Sequence, residues 1–596
     1  MKIKHLFGLA VIAAMTASCS SNEDLGTAGP GTGTNEAGVS YASITIDLPT
    51  TRGTRAEIDN FDGGTASEYA VNDATLLIFK KTETSKNEND YAFVETVPLG
   101  NLEPWKKGDT ANGITTEATI TAELKQVTVG EGSDGKGSDY YALVILNNKY
   151  DDDDNNNKDK VSMPSSTDTY GTWNAAETVK KLIDYKKGFY MANAPEFKGA
   201  DKEPTTLVQI KGIYRTKEEA HSKPGATVHV ERGLAKVTVG PSSTSNYFAT
   251  AGANATGNKY KSDNVKIKSW ALDVINKYSF PVHVTAGLKD GLTSTTSQTV
   301  PSYPKIWSNI EGKTDRFVSQ VSAAGAFKRV YWGIDPNYSM GLTDLTKCGE
   351  QFTLAAADGS PVTWKNGSGS DNPLYCLENT FDINNMKQGQ TTRVLLKATY
   401  TPSAVAKETD KTFFMIGNSS DIWTVTTLAE QIKSKAEEVL HTTTGVTVTL
   451  NDGIKAAGTH VLDATNVTIK SGEDDKTAAI VDQINNKLGF DLSKGVGIKT
   501  YKNGESYYIA RIKHFGDDFT KWNPGEIYGT DNEKYLGRYG VLRNNWYDLT
   551  VNSISGPGYP DVPVVKPGTA DDEDTKYINV SVKILDWAKR SQKVDL

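Results

Sequence analysis

Residues 42–48 read Ala-Ser-Ile-Thr-Ile-Asp-Leu. Ala42, Ile44, Ile46 and Leu48 alternate with Ser43, Thr45 and Asp47. In an extended chain successive side chains point to opposite faces, so this pattern puts every apolar group on one side of a strand. The pattern recurs along the chain: TLLIF (75–79), YALVIL (141–146), LVQIKGIY (207–214), TVHVERGLAKVTV (227–239), RVLLKATY (393–400), TFFMI (412–416), VTVTL (446–450), NVTIK (466–470), SYYIARI (506–512), DLTV (548–551) and YINVSVKI (577–584). Gly-, Asn-, Asp- and Ser-rich stretches separate the runs, and many short strands divided by turn residues predict an all-β chain of antiparallel sandwiches. Helices are few. Leu428, Ile432, Ala436 and Val439/Leu440 predict one over 424–440, and Thr477 is the expected cap of a second carrying Ile480, Ile484 and Leu488.

The chain has 596 residues, enough for two or three domains of this kind. A hydrophobic fraction of 37% supports buried cores, and a net charge of -8 with no basic domain argues against a nucleic-acid partner. Seven His and three Cys leave little material for a zinc site or a disulfide framework. There is no nucleophile elbow, no H-E-x-x-H and no phosphate loop. His221, His229, His441, His460 and His514 are scattered and read as surface or hydrogen-bonded residues. The acidic run 151–160 lacks the Gly and the closing Glu of a calcium loop and reads as solvated. No cofactor, metal or catalytic site is expected. Cys348 and Cys376 lie 28 apart; a disulfide and two buried thiols are the alternatives.

The first residues, MKIKHLFGLAVIAAMTASC, carry Lys2 and Lys4, a short apolar stretch from Leu6 to Met15, and small residues before Cys19. Ten apolar residues span about 15 Å as a helix, half a bilayer core, so 1–18 reads as a cleaved export signal. Either Cys19 is incidental, or it ends a lipobox and becomes a lipidated N-terminus, as in bacterial lipoproteins; Thr16 departs from the usual Leu. A polar tether and a Gly/Thr/Asn-rich linker follow.

Several strings together resemble the fimbrillins that build type V pili of Bacteroidetes: the signal with Cys19, ITIDLPTTRGTRA (44–56), VERGLAKVTV (230–239), VYWGIDPNYS (330–339), YCLENTF (375–381) and LGRYGVLRNNWYDLTVNSISGPGYP (536–560). Length and motif wording favour the minor-fimbria shaft branch. The resemblance implies two tandem transthyretin-like β-sandwich domains with inserted helices. The expected divisions are a signal at 1–18, a lipidated pro-segment at 19–55, an N-terminal sandwich at 56–241, a C-terminal sandwich at 242–585 and an extension at 586–596.

It also implies a mechanism. The precursor is similar to ones lipid-anchored at the outer membrane and cut by an Arg-specific protease. Arg52 and Arg55 are the candidate sites, with Arg55–Ala56 preferred. The cut would release the strand bearing Ala42, Ile44, Ile46 and Leu48, and another subunit's C-terminal extension would fill the vacated groove through Ala588, Val594 and Leu596. The expected partners are identical subunits, accessory anchor and tip subunits, the protease, and host or bacterial surface receptors. The expected role is structural, at the cell surface, in adhesion, biofilm formation and virulence. The alternative is a tip or accessory adhesin that binds glycan or protein.

Overall fold

The computed structural model describes residues 39–47, 68, 70–100, 117–127, 137–148, 161–176, 183–184, 188–196, 204–223, 225–240, 247–248, 259–285, 330, 332–356, 359–367, 372–514, 537–571 and 578–586. Cys19, Leu48, Arg52, Arg55, Ala56, Ala588, Val594 and Leu596 lie outside these residues.

The chain is all-β, with few helices. Its first sheet is built from β1 (Ser40–Asp47), β2 (Ala74–Lys80), β3 (Ala92–Gly100), β4 (Glu117–Leu124), β5 (Tyr140–Leu146), β6 (Met191–Asn193) and β7 (Ala226–Arg232). Their order is β3-β2-β5-β6-β7-β1-β4. Strand β7 divides its pairing: Ala226–His229 run parallel to β1, and Val230–Arg232 run antiparallel to β6. The strand thus carries the sheet from one group of strands to the other. An apolar cluster fills the interior, drawing on Ile44 and Ile46 of β1, Leu76 of β2, Val144 of β5 and Val228 of β7.

The run 227–239, read from its sequence as one strand, is two. Gly233 separates β7 from β8 (Leu234–Gly240), and the Gly233 N–H donates to the Tyr190 carbonyl at 3.0 Å. Before this point the side chains feed the first cluster. From Ala235 onward they feed a second.

The second cluster lies between two sheets. One contains β8, β10 (Leu374–Leu377), β13 (Asn545–Ile554) and β14 (Ile578–Asp586), in the order β10-β8-β13-β14. The other is built on β9 (Asn264–Asp273), β11 (Arg393–Thr401) and β12 (Glu505–Arg511). Val237, Tyr547 and Leu549 from the first meet Trp270, Leu396 and Tyr508 from the second, which makes a sandwich.

The α-helices among the described residues are α1 (Tyr170–Ala176), α2 (Lys217–Ser222), α3 (Leu345–Gln351), α4 (Val425–Leu440) and α5 (Thr477–Leu488). Both helices expected from periodicity are present. They lie between the paired strands β11 and β12 and pack on short strands around a core of their own, with Leu428, Ile432, Ile480 and Ile484 buried. Thr424 caps α4 as a capping box. Thr477 does not cap α5: Lys476 holds the cap position, and the Thr477 hydroxyl instead accepts from the Ile469 N–H at 2.8 Å, tying the helix to the strand beneath it.

Other sequence expectations shift as well. In 207–214 only Val208–Gln209 forms a strand, while β3, β4 and β9 arise where none was expected. Cys348 and Cys376 are free buried thiols in two different apolar clusters. Burial pushes them up to about 11 and about 12, with Asp344 adding to the shift at Cys348, which makes both poor nucleophiles near neutral pH.

Candidate functional site

Strand β1 occupies an interior position in its sheet. On one side β1 pairs antiparallel with β4 along its whole length, from Ser40↔Leu124 to Asp47↔Glu117. On the other it pairs parallel with β7, from Ile44↔Ala226 to Asp47↔His229. Nearer its start, Tyr41 exchanges both backbone hydrogen bonds with Tyr214, each at 2.8 Å.

Alternation decides which side chains the strand buries. Ala42, Ile44 and Ile46 are all 0% exposed. Complete burial of an isoleucine side chain contributes about 1.5–3 kcal/mol. Ser40 shares their face and is equally buried; its hydroxyl donates to the Leu124 and Val127 carbonyls at 3.4 and 3.2 Å. On the opposite face the hydroxyls of Thr45 and Thr119 meet at 2.9 Å. Without β1 the sheet would have a slot between β7 and β4, with an apolar floor and two rims of backbone donors and acceptors. Unpaired groups of that kind attract another strand.

The sequence shows the strand and, within the run 227–239, the wall β7, but not the wall β4. Strand β4 reads EATITAEL, and Ala118, Ala122 and Leu124 are buried at alternate positions. The period of two is present there, but two of the three positions are alanines, which give a weak apolar signal.

Behind the slot, β7 enters a buried polar joint between the two large cores. The Arg232 side chain donates to the Glu68 carbonyl at 2.7 Å. Lys236 pairs with the Glu68 carboxylate at 2.8 Å and lies 4.1 Å above the Trp546 ring. Tyr375 donates its hydroxyl to the same carboxylate. His283, also buried here, sits 2.7 Å from Glu231 and 2.9 Å from the Trp332 carbonyl. His514 meets the Tyr547 hydroxyl at 2.6 Å. Among the described residues no group of three or more His, Cys, Asp or Glu side chains is arranged to hold a metal ion.

The arrangement therefore describes a surface that holds a strand. A known family matches the other end of the chain. Residues 499–593, which include β12, β13 and β14, match the model of the major fimbrial subunit protein type IV, fimbrillin, C-terminal region. That part of the chain is similar to the C-terminal region of the fimbrial subunits, in keeping with the resemblance drawn from the sequence. No curated protein matches the chain. Solved structures similar to it include a "putative cell adhesion protein" of Parabacteroides distasonis, at 11% identity over 93% of this chain and 98% of that one, with a TM-score of 0.36. Another "putative cell adhesion protein", from Bacteroides eggerthii, has 12% identity over 92% and 96% of the two chains and a TM-score of 0.28. A fimbrial assembly protein of Parabacteroides distasonis has 12% identity over 57% of this chain and 98% of its own, with a TM-score of 0.22.

Proposed function

We propose that the chain is a structural subunit of a cell-surface fimbria and polymerises by exchanging β1 for a strand from a neighbouring subunit. The observation that carries this reading is the interior place of β1. A strand at the end of a sheet would leave only an edge on removal, whereas β1 has partners on both sides.

In this reading Cys19 anchors the precursor to the outer membrane, and an Arg-specific protease cuts after Arg52 or Arg55, between β1 and the rest of its sandwich. The cut breaks the covalent link but leaves the backbone pairing and the burial of Ala42, Ile44 and Ile46, so β1 departs by displacement. The incoming strand is the extension 586–596 of another subunit, with Ala588, Val594 and Leu596 facing the floor. Its apolar face is thin, so backbone pairing along both rims carries much of its stability. Adhesion, biofilm formation and contacts with anchor and tip subunits follow from the polymer.

The test is assembly after cleavage. Full-length protein treated with an Arg-specific protease should give a ladder of heat-sensitive multimers on a gel. A chain ending at Asp586 keeps β14 and should remain folded and monomeric. A ladder from that truncation removes the extension as donor, and the absence of any ladder from the cleaved full-length chain removes strand exchange.

A further inference from the structure

The face of β1 that points away from the core should be open to solvent, and at Ser43 it is not. Ser43 has the outward parity of Thr45, yet is 5% exposed where Thr45 is half-buried. The cover comes from the segment between Tyr214 and β7. After Tyr214 pairs with Tyr41, the chain leaves the sheet, forms α2 and returns at Gly225. Helix α2 packs against both β1 and β4, and its Ala220 is fully buried. Thr216 caps the helix by accepting from the Glu219 N–H at 3.2 Å. Lys223 closes the outer surface, 3.0 Å from Glu219 and 4.9 Å above the Tyr214 ring.

Gly225 shows how close the cover comes. A Cβ placed there would lie 1.7 Å from the Ser43 carbonyl oxygen and 2.8 Å from the Ser43 Cβ. The backbone at 225 thus runs directly against residue 43, where the chain returns from α2 to the sheet. Half of the slot is roofed, and the roof fits a serine.

We propose that Tyr214–Lys223 and Gly225 form a strap that selects the strand occupying the slot. An occupant must place a small residue at the Ser43 position, between residues that fit the buried Ala42 and Ile44 sites. The strap also retards the departure of β1, because its cover must lift before the strand can leave. This rests on the strand-exchange reading for its biological use, but the size limit itself is a property of the slot. Within the extension 586–596, the small residue of opposite parity to Ala588, Val594 and Leu596 is Ser591, flanked by Arg590 and Gln592. That register puts two polar side chains over apolar sites, which costs free energy unless each finds a partner.

The experiment uses the full chain with a specific protease site replacing residues 49–55. After cleavage, a fluorescent peptide of residues 39–48 is exchanged into the slot, and its affinity and release rate are measured. A Ser43→Leu peptide should bind at least tenfold more weakly than the parent, and a Thr45→Leu peptide within threefold. Replacing residues 216–222 by a Gly/Ser linker should bring Ser43→Leu within threefold of the parent and speed release of the parent peptide. Equal binding of the parent and Ser43→Leu peptides to the unaltered protein overturns the strap, and that comparison needs no change in the protein's own fold. Discrimination that persists without the strap also overturns it. Failure of the parent peptide to bind at all overturns the exchangeable slot and the strap together, so the two failures are told apart.

Discussion

Strands β1 and β14 have matching sequences and unlike surroundings. The first reads Ala42-Ser43-Ile44-Thr45-Ile46 and the last Val580-Ser581-Val582-Lys583-Ile584. Both alternate apolar with polar residues, and both have serine in the second place. Yet β1 is paired on both sides, with β4 opposite β7 and Tyr214, whereas among the described residues β14 ends its sheet and pairs with β13 alone. The comparison teaches that alternation alone does not define a removable strand. What distinguishes β1 is that its departure would leave two rims of unpaired backbone around an apolar floor. Departure of β14 would leave one. A strand with the sequence of β14 meets the small-residue demand at Ser43, and its own sheet holds it by half as many rims.

The largest effect expected from this difference is at Ile44. Ile44→Asp in the uncleaved chain puts a carboxylate among apolar groups with no partner and should lower stability by about 4 kcal/mol or more. Urea unfolding followed through the first core measures it. A loss below about 1 kcal/mol would mean that β1 contributes little to its core, and the contrast with β14 would collapse.

Gly225→Ala should come next. Its Cβ meets the β1 backbone, which cannot rotate away as a side chain tip could, and overpacking of this kind costs about 1–3 kcal/mol. The cost should appear while β1 is in place and largely vanish once β1 is cut and removed. The same loss in both forms would show that Gly225 serves the rest of the sheet and does not gauge its occupant.

How much of this was legible in the sequence follows from the strength of the local signals. Strand β1 was plain because its apolar positions include two isoleucines and its polar positions carry Ser, Thr and Asp. Helix α4 was plain because Leu428, Ile432 and Ala436 repeat at four-residue spacing above a Thr cap. Strand β4 was hidden by Ala118 and Ala122, and β9 by lysines and a tryptophan in NVKIKSWALD. The division at Gly233 was also hidden, since apolar residues continue on both sides and the change of sheet depends on long-range partners. The strap was invisible for a different reason. Tyr214, Ala220 and Gly225 are unremarkable in sequence, and their role comes from where the chain returns to the sheet. The cleavage sites and the C-terminal extension rest on the family resemblance.

A smaller effect belongs to the β14 side of the comparison. In the adjoining strands, the Thr238 hydroxyl donates to Asp548 at 2.7 Å and accepts from Trp546 Nε1 at 2.7 Å. Thr238→Val removes both bonds and should cost about 1–2 kcal/mol, the usual range for leaving buried polar groups without that partner. Peptide binding in the slot should stay within twofold of the unaltered protein, as measured by the same fluorescence assay. A large change in slot affinity would show that the two cores are coupled through the Glu68–Lys236 joint, and β1 and β14 could no longer be treated as independent.

The smallest expected effect is a pH dependence at the rim of the slot. His229, half-buried on β7 and in register with Asp47 of β1, is held below the ordinary histidine range by burial, with Glu196 acting in the opposite direction. The folded chain therefore favours neutral imidazole more than the unfolded chain does. Below the unfolded value of about 6.5 the unfolded state takes up more protons, so stability falls as the solution is acidified through that value and is retained above it. His229→Gln removes this contribution. The measurement is the difference in urea midpoint between pH 7.5 and pH 5.5, which should be larger for the unaltered chain than for the variant. Because carboxylates begin to titrate near the lower pH in both proteins, only the difference between them isolates the histidine. Equal slopes would place His229 in contact with water in the folded chain and remove it from the slot rim as a buried group.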